Sequence, residues 1–347
     1  MIELETPADA LLALASRLVE SAGRGSARSL ARLSGGKNNQ VFRVETDAGS
    51  AVLKHYFSDP RDPRDRLAAE WDFLRHTWSR GVRVVPEPLA NDPASHAGLY
   101  GYIQGRKLLV SEIGPLHIDA AIEFVLAVNA RPRNPLEPAS EACFSLADHI
   151  ATVERRVARL ARLDPNAPHA KEAQRLVAEA LLPAWTTVKS RLTDEARAAG
   201  LEMDHALRPE QCCLSPSDFG FHNALADDKG GMTFLDFEYA GRDDPAKLVS
   251  DFFCQPELPV PLKHYPGFLM RLADGLGMDD AGRTRCRILL DAYRIKWSCI
   301  LLNDFLPVGA ARRSFADAGE WEMRCLKQIE KAKAKIAEIF AQENPQT

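Results

Sequence analysis

The sequence predicts an α+β chain, with a small sheet and one helix up to about Gly105 and a mainly helical remainder. Three observations carry this. Short β-type runs, Val41-Phe42-Arg43-Val44, Ala51-Val52-Leu53-Lys54 and Leu99-Tyr100-Gly101-Tyr102-Ile103, all lie in the first 105 residues. Apolar residues then recur at helical spacing over five segments, 117–129, 141–163, 169–199, 283–304 and 320–342. The 347 residues are 46% hydrophobic and 27% charged, enough for a sizeable core and roughly two domains. We place these at 1–105 and 106–347.

The elements follow in order. Thr6 can cap a first helix and Pro7 suits its first turn. Leu11, Leu12, Ala15, Leu18 and Val19 form its apolar stripe, which Gly23 and Gly25 end. Thr46-Asp47-Ala48-Gly49 is the turn between the first two β-type runs. A helix covers 62–80, with Leu67, Glu70, Trp71 and Leu74 at helical spacing. Further on, Cys212-Cys213-Leu214 and residues 232–236 are β-like interruptions flanking a polar loop at Asp218. Residues 131–138 form a Pro-rich loop between helices. The lysines of 327–335 alternate with Ile329, Ala332 and Ile336, which predicts a solvated helix face.

Composition narrows the function classes. A net charge of −4 lacks the basic excess of a nucleic-acid binder, so no nucleic-acid partner is expected. The seven cysteines are scattered, mostly within apolar runs, and form no Cys-x-x-Cys pair. They read as small buried hydrophobes in a reducing compartment. No basic leader and no apolar run of spanning length is present, so the chain reads as cytoplasmic with no membrane partner.

Five local features carry the chemistry. Gly35 and Gly36 precede the strand at Val41 and let backbone N–H groups approach phosphates, with Asn39 just beyond. Lys54 ends a β-type run, where a rigid strand can aim its point charge at phosphates. Glu70 on the following helix can pair with that ammonium. Asp218 and Asn223, five residues apart, offer a carboxylate to orient a hydroxyl and an amide oxygen for a metal. Asp236, at the exit of an apolar run, needs a partner or a cation. Mg²⁺ takes such oxygens together with substrate phosphates.

Gly35-Gly36-x-x-Asn39, Lys54, Glu70, Asp218-x-x-x-x-Asn223 and Leu235-Asp236-Phe237-Glu238 resemble the signature of the aminoglycoside phosphotransferase / choline kinase family over about residues 30–255. The resemblance implies a bilobal protein-kinase-like fold, with a small N-terminal β-sheet lobe and a larger, mainly helical C-terminal lobe. It implies an ATP- and Mg²⁺-dependent small-molecule kinase, with adenine against the backbone near Tyr100–Ile103 and Tyr102 and Ile103 as its cofactor-binding residues. Lys54, held by Glu70, would contact the α- and β-phosphates; Asn223 and Asp236 would bind Mg²⁺; Asp218 would be base or orienter for the acceptor hydroxyl.

Two departures stand out. Pro216 and Ser217 occupy the positions where the family usually carries His-Gly, and His222 is the nearby histidine. The family's Asp-Pro-x-x-Asp is altered to Asp244-Pro245 followed by Asp251, which is expected to anchor the catalytic loop. Only seven residues separate Asp236 from Asp244, leaving little room for a peptide platform, so a small hydroxylated acceptor is expected. Trp297, Tyr293, Lys296 and Asn303 are candidates for lining its pocket. A nucleotide-binding pseudokinase, motivated by Pro216-Ser217, and a protein kinase are the other two readings. The acceptor, the choice between ATP and GTP, and the oligomeric state stay open.

Overall fold

The computed structural model describes residues 8–33, 39–58, 62, 64–130, 136–307 and 318–341, in which the early alternating runs form one five-stranded sheet. Thr6 and Pro7 lie outside the described residues. Strands β1 (Ala27–Arg32), β2 (Gln40–Thr46), β3 (Gly49–His55), β4 (Pro88–Asp92) and β5 (Ala97–Gly101) are ordered β1-β2-β3-β5-β4, every pair antiparallel. Helix α1 (Ala8–Ser21) covers one face. Leu11, Leu14, Ala15, Leu18 and Val19 meet Phe42, Val44, Ala51, Leu53 and Leu99 there. Leu12, placed on this stripe by spacing, is exposed instead, and Leu14 takes the inward position. Gly25 follows the helix at φ +76°, and a Cβ there would sit 2.4 Å from Asp47 Oδ2. That carboxylate accepts from Ser26 N at 2.8 Å, so the entry to β1 requires glycine.

Strand alternation sends Lys54 to the face opposite Leu53. Helix α2 (Arg66–Ser79) begins four residues later than its apolar pattern suggests, because Asp65 caps it through Ala68 N at 2.9 Å. Strands β1 and β4 were not expected. Ala-Arg-Ser-Leu-Ala-Arg has no β-branched residue, and Pro-Leu-Ala-Asn-Asp is rich in turn formers, so pairing with neighbours decides both.

Contacts divide the chain into Met1–Ser140 with Leu214–Arg242, and Glu141–Cys213 with Asp243–Thr347. The first unit also holds α3 (Pro115–Val128) and the hairpin of β7 (Ala224–Ala226) and β8 (Met232–Phe234). The short strands β6 (Cys213–Ser215) and β9 (Gly241–Asp243) lie at the points of division.

The second unit is helical: α4 (Leu146–Arg159), α5 (Ala170–Leu176), α6 (Leu182–Ala198), α7 (Pro245–Cys254), α8 (Tyr265–Leu276), α9 (Asp280–Leu301) and α10 (Ala318–Ala341). The single helix expected at 169–199 is interrupted by a π-turn over Val177–Leu181, just before Pro183, which lacks an N–H. Helix α7 was also not expected; all ten of its residues are buried, Lys247, Ser250 and Asp251 included, so its polar positions do not mark a solvent face. Helix α9 is central, with α4, α6, α7, α8 and α10 against it. On α10, Lys335 departs from the solvated face: it is buried beside Glu338, while Lys333 stays exposed and reaches Glu172. The seven cysteines are all buried, and among the described residues no helix is long and apolar enough to cross a membrane.

Charged side chains stitch this unit internally. Asp244 caps α7 through Ala246 N and takes the Arg285 guanidinium, with Nε at 3.0 Å. His149 lies between Asp244 Oδ2, 3.1 Å from Nε2, and the Tyr293 hydroxyl, 2.7 Å from Nδ1. Burial opposes an imidazolium there, but the Cys143 sulfur and Asp244 outweigh it and lift His149 to about 9. Because its folded value is raised, His149 contributes stability fully below its ordinary value of 6.5, and that contribution is lost as pH rises through about 9. Urea unfolding should therefore show a loss on the order of 3 kcal/mol across this window, absent in His149→Gln. Equal slopes for the two proteins would contradict the pairing.

Candidate active site

Lys54 is the next-to-last residue of β3, and its ammonium sits between two carboxylates. Nζ lies 2.6 Å from Glu70 Oε2 on α2 and 2.9 Å from Asp236 Oδ1 just after β8. Burial alone would disfavour this charge, but Asp236 and Glu70 outweigh it and hold the lysine protonated well beyond its usual range. Glu70 is buried and accepts a second bond, from Tyr56 OH at 2.7 Å; that hydroxyl also meets Tyr100 OH at 2.8 Å. Tyr56 lies two residues beyond Lys54, one past the end of the strand, and continuing the alternation could have singled it out.

The acids are brought together by a hairpin. Ala224 pairs with Phe234 and Ala226 with Met232, and Leu235 N donates to Asn223 O at 2.8 Å. Asn223 and Asp236 consequently emerge side by side at its open end. Asp227 holds the other end closed, accepting from Lys229 N and Gly231 N at 2.8 Å each. The residues after the two acids, Phe219 and Phe237, turn inward to an aromatic cluster. Phe219 meets Phe234 at 5.3 Å between ring centroids, and Phe237 stacks on Phe73 at 4.7 Å. Anchoring these rings turns Asp218 and Asp236 away from the core. Asp236 sits at φ +66° and Ser217 at φ +53°, a conformation uncommon outside glycine and one that clusters at functional positions.

Asn129, just past α3, pins the approach to Asp218 by exchanging two bonds with Leu214, Nδ2 to O at 2.9 Å and N to Oδ1 at 2.8 Å. Asn223 Nδ2 lies 3.0 Å from the Asp218 carbonyl and 3.3 Å from its Oδ2. With Nδ2 spent there, Oδ1 is the atom that the amide can offer to a cation. Lys54, Glu70 and Asp236 thus form one ion-paired group and Asp218 with Asn223 a second, and the Leu235 N–Asn223 O bond of the hairpin joins the two.

The remaining expected residues stand as follows. Gly35 and Gly36 lie outside the described residues. The Asn39 amide donates to Glu238 Oε2 at 2.6 Å and accepts from Phe57 N at 3.3 Å. Tyr102 and Ile103 are half-buried beyond β5, and the Arg43 guanidinium lies 4.6 Å from the Tyr102 ring centroid. Nearby, Arg106 pairs by backbone with Ala226, so close that a Cβ on Gly105 would lie 2.9 Å from Ala226 O. Asp251 bonds to α9, with Lys296 Nζ at 2.7 Å and Trp297 Nε1 at 2.8 Å. Lys296 and Trp297 therefore serve a buried acid of the helical unit.

Residues 29–287 match the model of the phosphotransferase enzyme family. The chain belongs to that family. Its fold is that of the kinases. A choline kinase from Cryptosporidium parvum is 13% identical with a TM-score of 0.59, over 96% of this chain and 97% of that one. The choline kinase LicA from Streptococcus pneumoniae is 16% identical, TM-score 0.57, over 94% and 99%. A spectinomycin phosphotransferase, solved with ADP and spectinomycin, is 12% identical, TM-score 0.61, over 96% and 99%. No curated protein matches the chain in sequence.

The two tyrosines behind Glu70 give a test of this arrangement. Tyr56→Phe removes one donor to Glu70 and the partner of Tyr100, and should lower stability by about 1 kcal/mol in urea unfolding. No change would mean that the hydroxyl does not support the Glu70–Lys54 pair.

Proposed function

We propose that the protein is an ATP- and Mg²⁺-dependent kinase that moves the γ-phosphoryl group to a hydroxyl of a small molecule, such as a sugar, an aminoalcohol or an aminoglycoside-like compound. The observation that carries this reading is the Lys54 ammonium held between Glu70 and Asp236, next to the Asp218–Asn223 pair. In phosphoryl transfer the protein mainly positions the reactants and offsets charge, and this set has the groups for both tasks.

Each residue then has a role. Lys54, braced by Glu70, binds the α- and β-phosphates, with Gly35, Gly36 and Asn39 covering them and Tyr102 and Ile103 lining the adenine. Asp218 orients the acceptor hydroxyl and takes its proton while the new P–O bond forms and the bond to ADP breaks. Asp236, through Oδ2, and Asn223, through Oδ1, would hold Mg²⁺. The donor set fits such a hard cation, which uses one or two protein oxygens together with phosphates and water. Bound there, it would neutralise the phosphate charge. Among the described residues no group of three or more His, Cys, Asp or Glu side chains forms a dedicated cage.

In this reading residues 1–105 are the nucleotide-binding lobe and 106–347 the lobe of catalysis and acceptor binding, in a cytoplasmic enzyme. The short passage from Asp236 to α7 favours a small acceptor over a peptide. The choline and spectinomycin kinases of similar fold point the same way. A transfer screen with labelled ATP across aminoalcohols, sugars and aminoglycosides should find an acceptor. Asp218→Ala should then lower turnover by roughly 10²–10⁴ without unfolding the chain. Full activity in that variant would refute the role of Asp218, and label found only on protein would make the enzyme a protein kinase.

A further inference from the structure

The carboxylate of Asp218 is gripped from two sides. Asn223 Nδ2 lies 3.3 Å from Oδ2, and His222 Nε2 lies 3.3 Å from Oδ1. Both grips come from one 3-10 turn, Phe221–Asn223, but their duties differ. The Asn223 amide also faces the cation position through Oδ1, so its orientation answers to two neighbours. His222 has no such second duty.

The His222 ring lies in confined surroundings. Its side chain is only 14% exposed, and its Nδ1 is buried without a hydrogen-bond partner. The backbone beneath is clamped: Lys107 Nζ donates to the His222 carbonyl, and the preceding Phe221 is fully buried edge-on to His117 at 6.1 Å. A neutral imidazole carries one N–H. Placed on Nδ1, that hydrogen would be buried without an acceptor, and the Nε2 lone pair would face a carboxylate. Placed on Nε2, it points at Asp218 Oδ1. The surroundings therefore select the Nε2–H tautomer.

We propose that His222 is a positioning residue for Asp218, its Nε2–H holding Oδ1 so that the carboxylate keeps one orientation toward the acceptor. Pro216, without an N–H or a polar side chain, cannot do this from the other side of Ser217. The proposal rests on the phosphotransferase reading, but the tautomer can be tested without it.

Two variants separate the hydrogen bond from mere filling of space. His222→Leu keeps bulk and loses the donor; His222→Gln keeps a side-chain N–H. With the acceptor found in the screen, the Leu variant should lose about 10–100-fold in kcat, with KM for ATP within about twofold. The Gln variant should recover to within about fivefold of the parent. If Gln is no better than Leu, or if Leu keeps full kcat, the proposal is wrong. Independently, ¹⁵N-imidazole NMR of the full chain should show Nε2–H and a bare Nδ1 at His222, a signal that shifts in Asp218→Ala; an Nδ1–H tautomer overturns it. Absence of transfer by the unaltered enzyme to any acceptor would instead count against the phosphotransferase reading, with the NMR result still deciding the role of His222.

Discussion

A lysine ammonium buried against a sheet needs opposite charge close by, and Lys54 receives it from two carboxylates at once. Glu70 comes from α2 and is itself steadied by Tyr56; Asp236 comes from the end of a hairpin far along the chain. Much of the first unit serves this shared charge. The antiparallel register of β2 and β3 aims Lys54 away from α1, the Asp65 cap sets where α2 begins, and the hairpin delivers Asp236 beside Asn223. Deleting either acid leaves a buried cation poorly compensated, a strongly destabilising situation.

The shared ammonium also links structure to chemistry. Glu70 is buried and makes its bonds within the protein, whereas the Asp236 side chain is 42% exposed and reaches the site surface. Asp236 can therefore serve the lysine with one oxygen and a cation with the other. Its left-handed backbone is held by the inward anchor of Phe237, and the proposed cation role falls at this strained position.

Much of this was legible in the sequence. Lys54 ends an alternating apolar run, Glu70 falls on the inner spacing of a helix, and Asp218, Asn223 and Asp236 keep a motif whose spacing reflects a turn and a hairpin. What was not legible depends on contacts between distant residues. Asn39 meets Glu238 across 199 positions, and no local pattern encodes that. The edge strands β1 and β4 lack strand-forming residues and are defined by pairing, while α7 is buried on every side although it carries Lys247, Ser250 and Asp251, so its polar residues do not mark a solvent face. His222 stands near Asp218 in sequence, but its bond requires the 3-10 turn that places residue 222 back over residue 218. The helical unit shows the same limit: the lysine and aromatics of α9 looked like pocket residues, yet Lys296 and Trp297 compensate buried Asp251.

The central claim is that Lys54, Asp236 and Asn223 form a place for a nucleotide carried with a divalent cation. Calorimetric titration of the full chain with ATP, in Mg²⁺ and again in EDTA, tests it most directly. The account predicts saturable one-to-one binding in Mg²⁺ that weakens at least about tenfold in EDTA. Equal affinity in both buffers, or no binding in either, would contradict it.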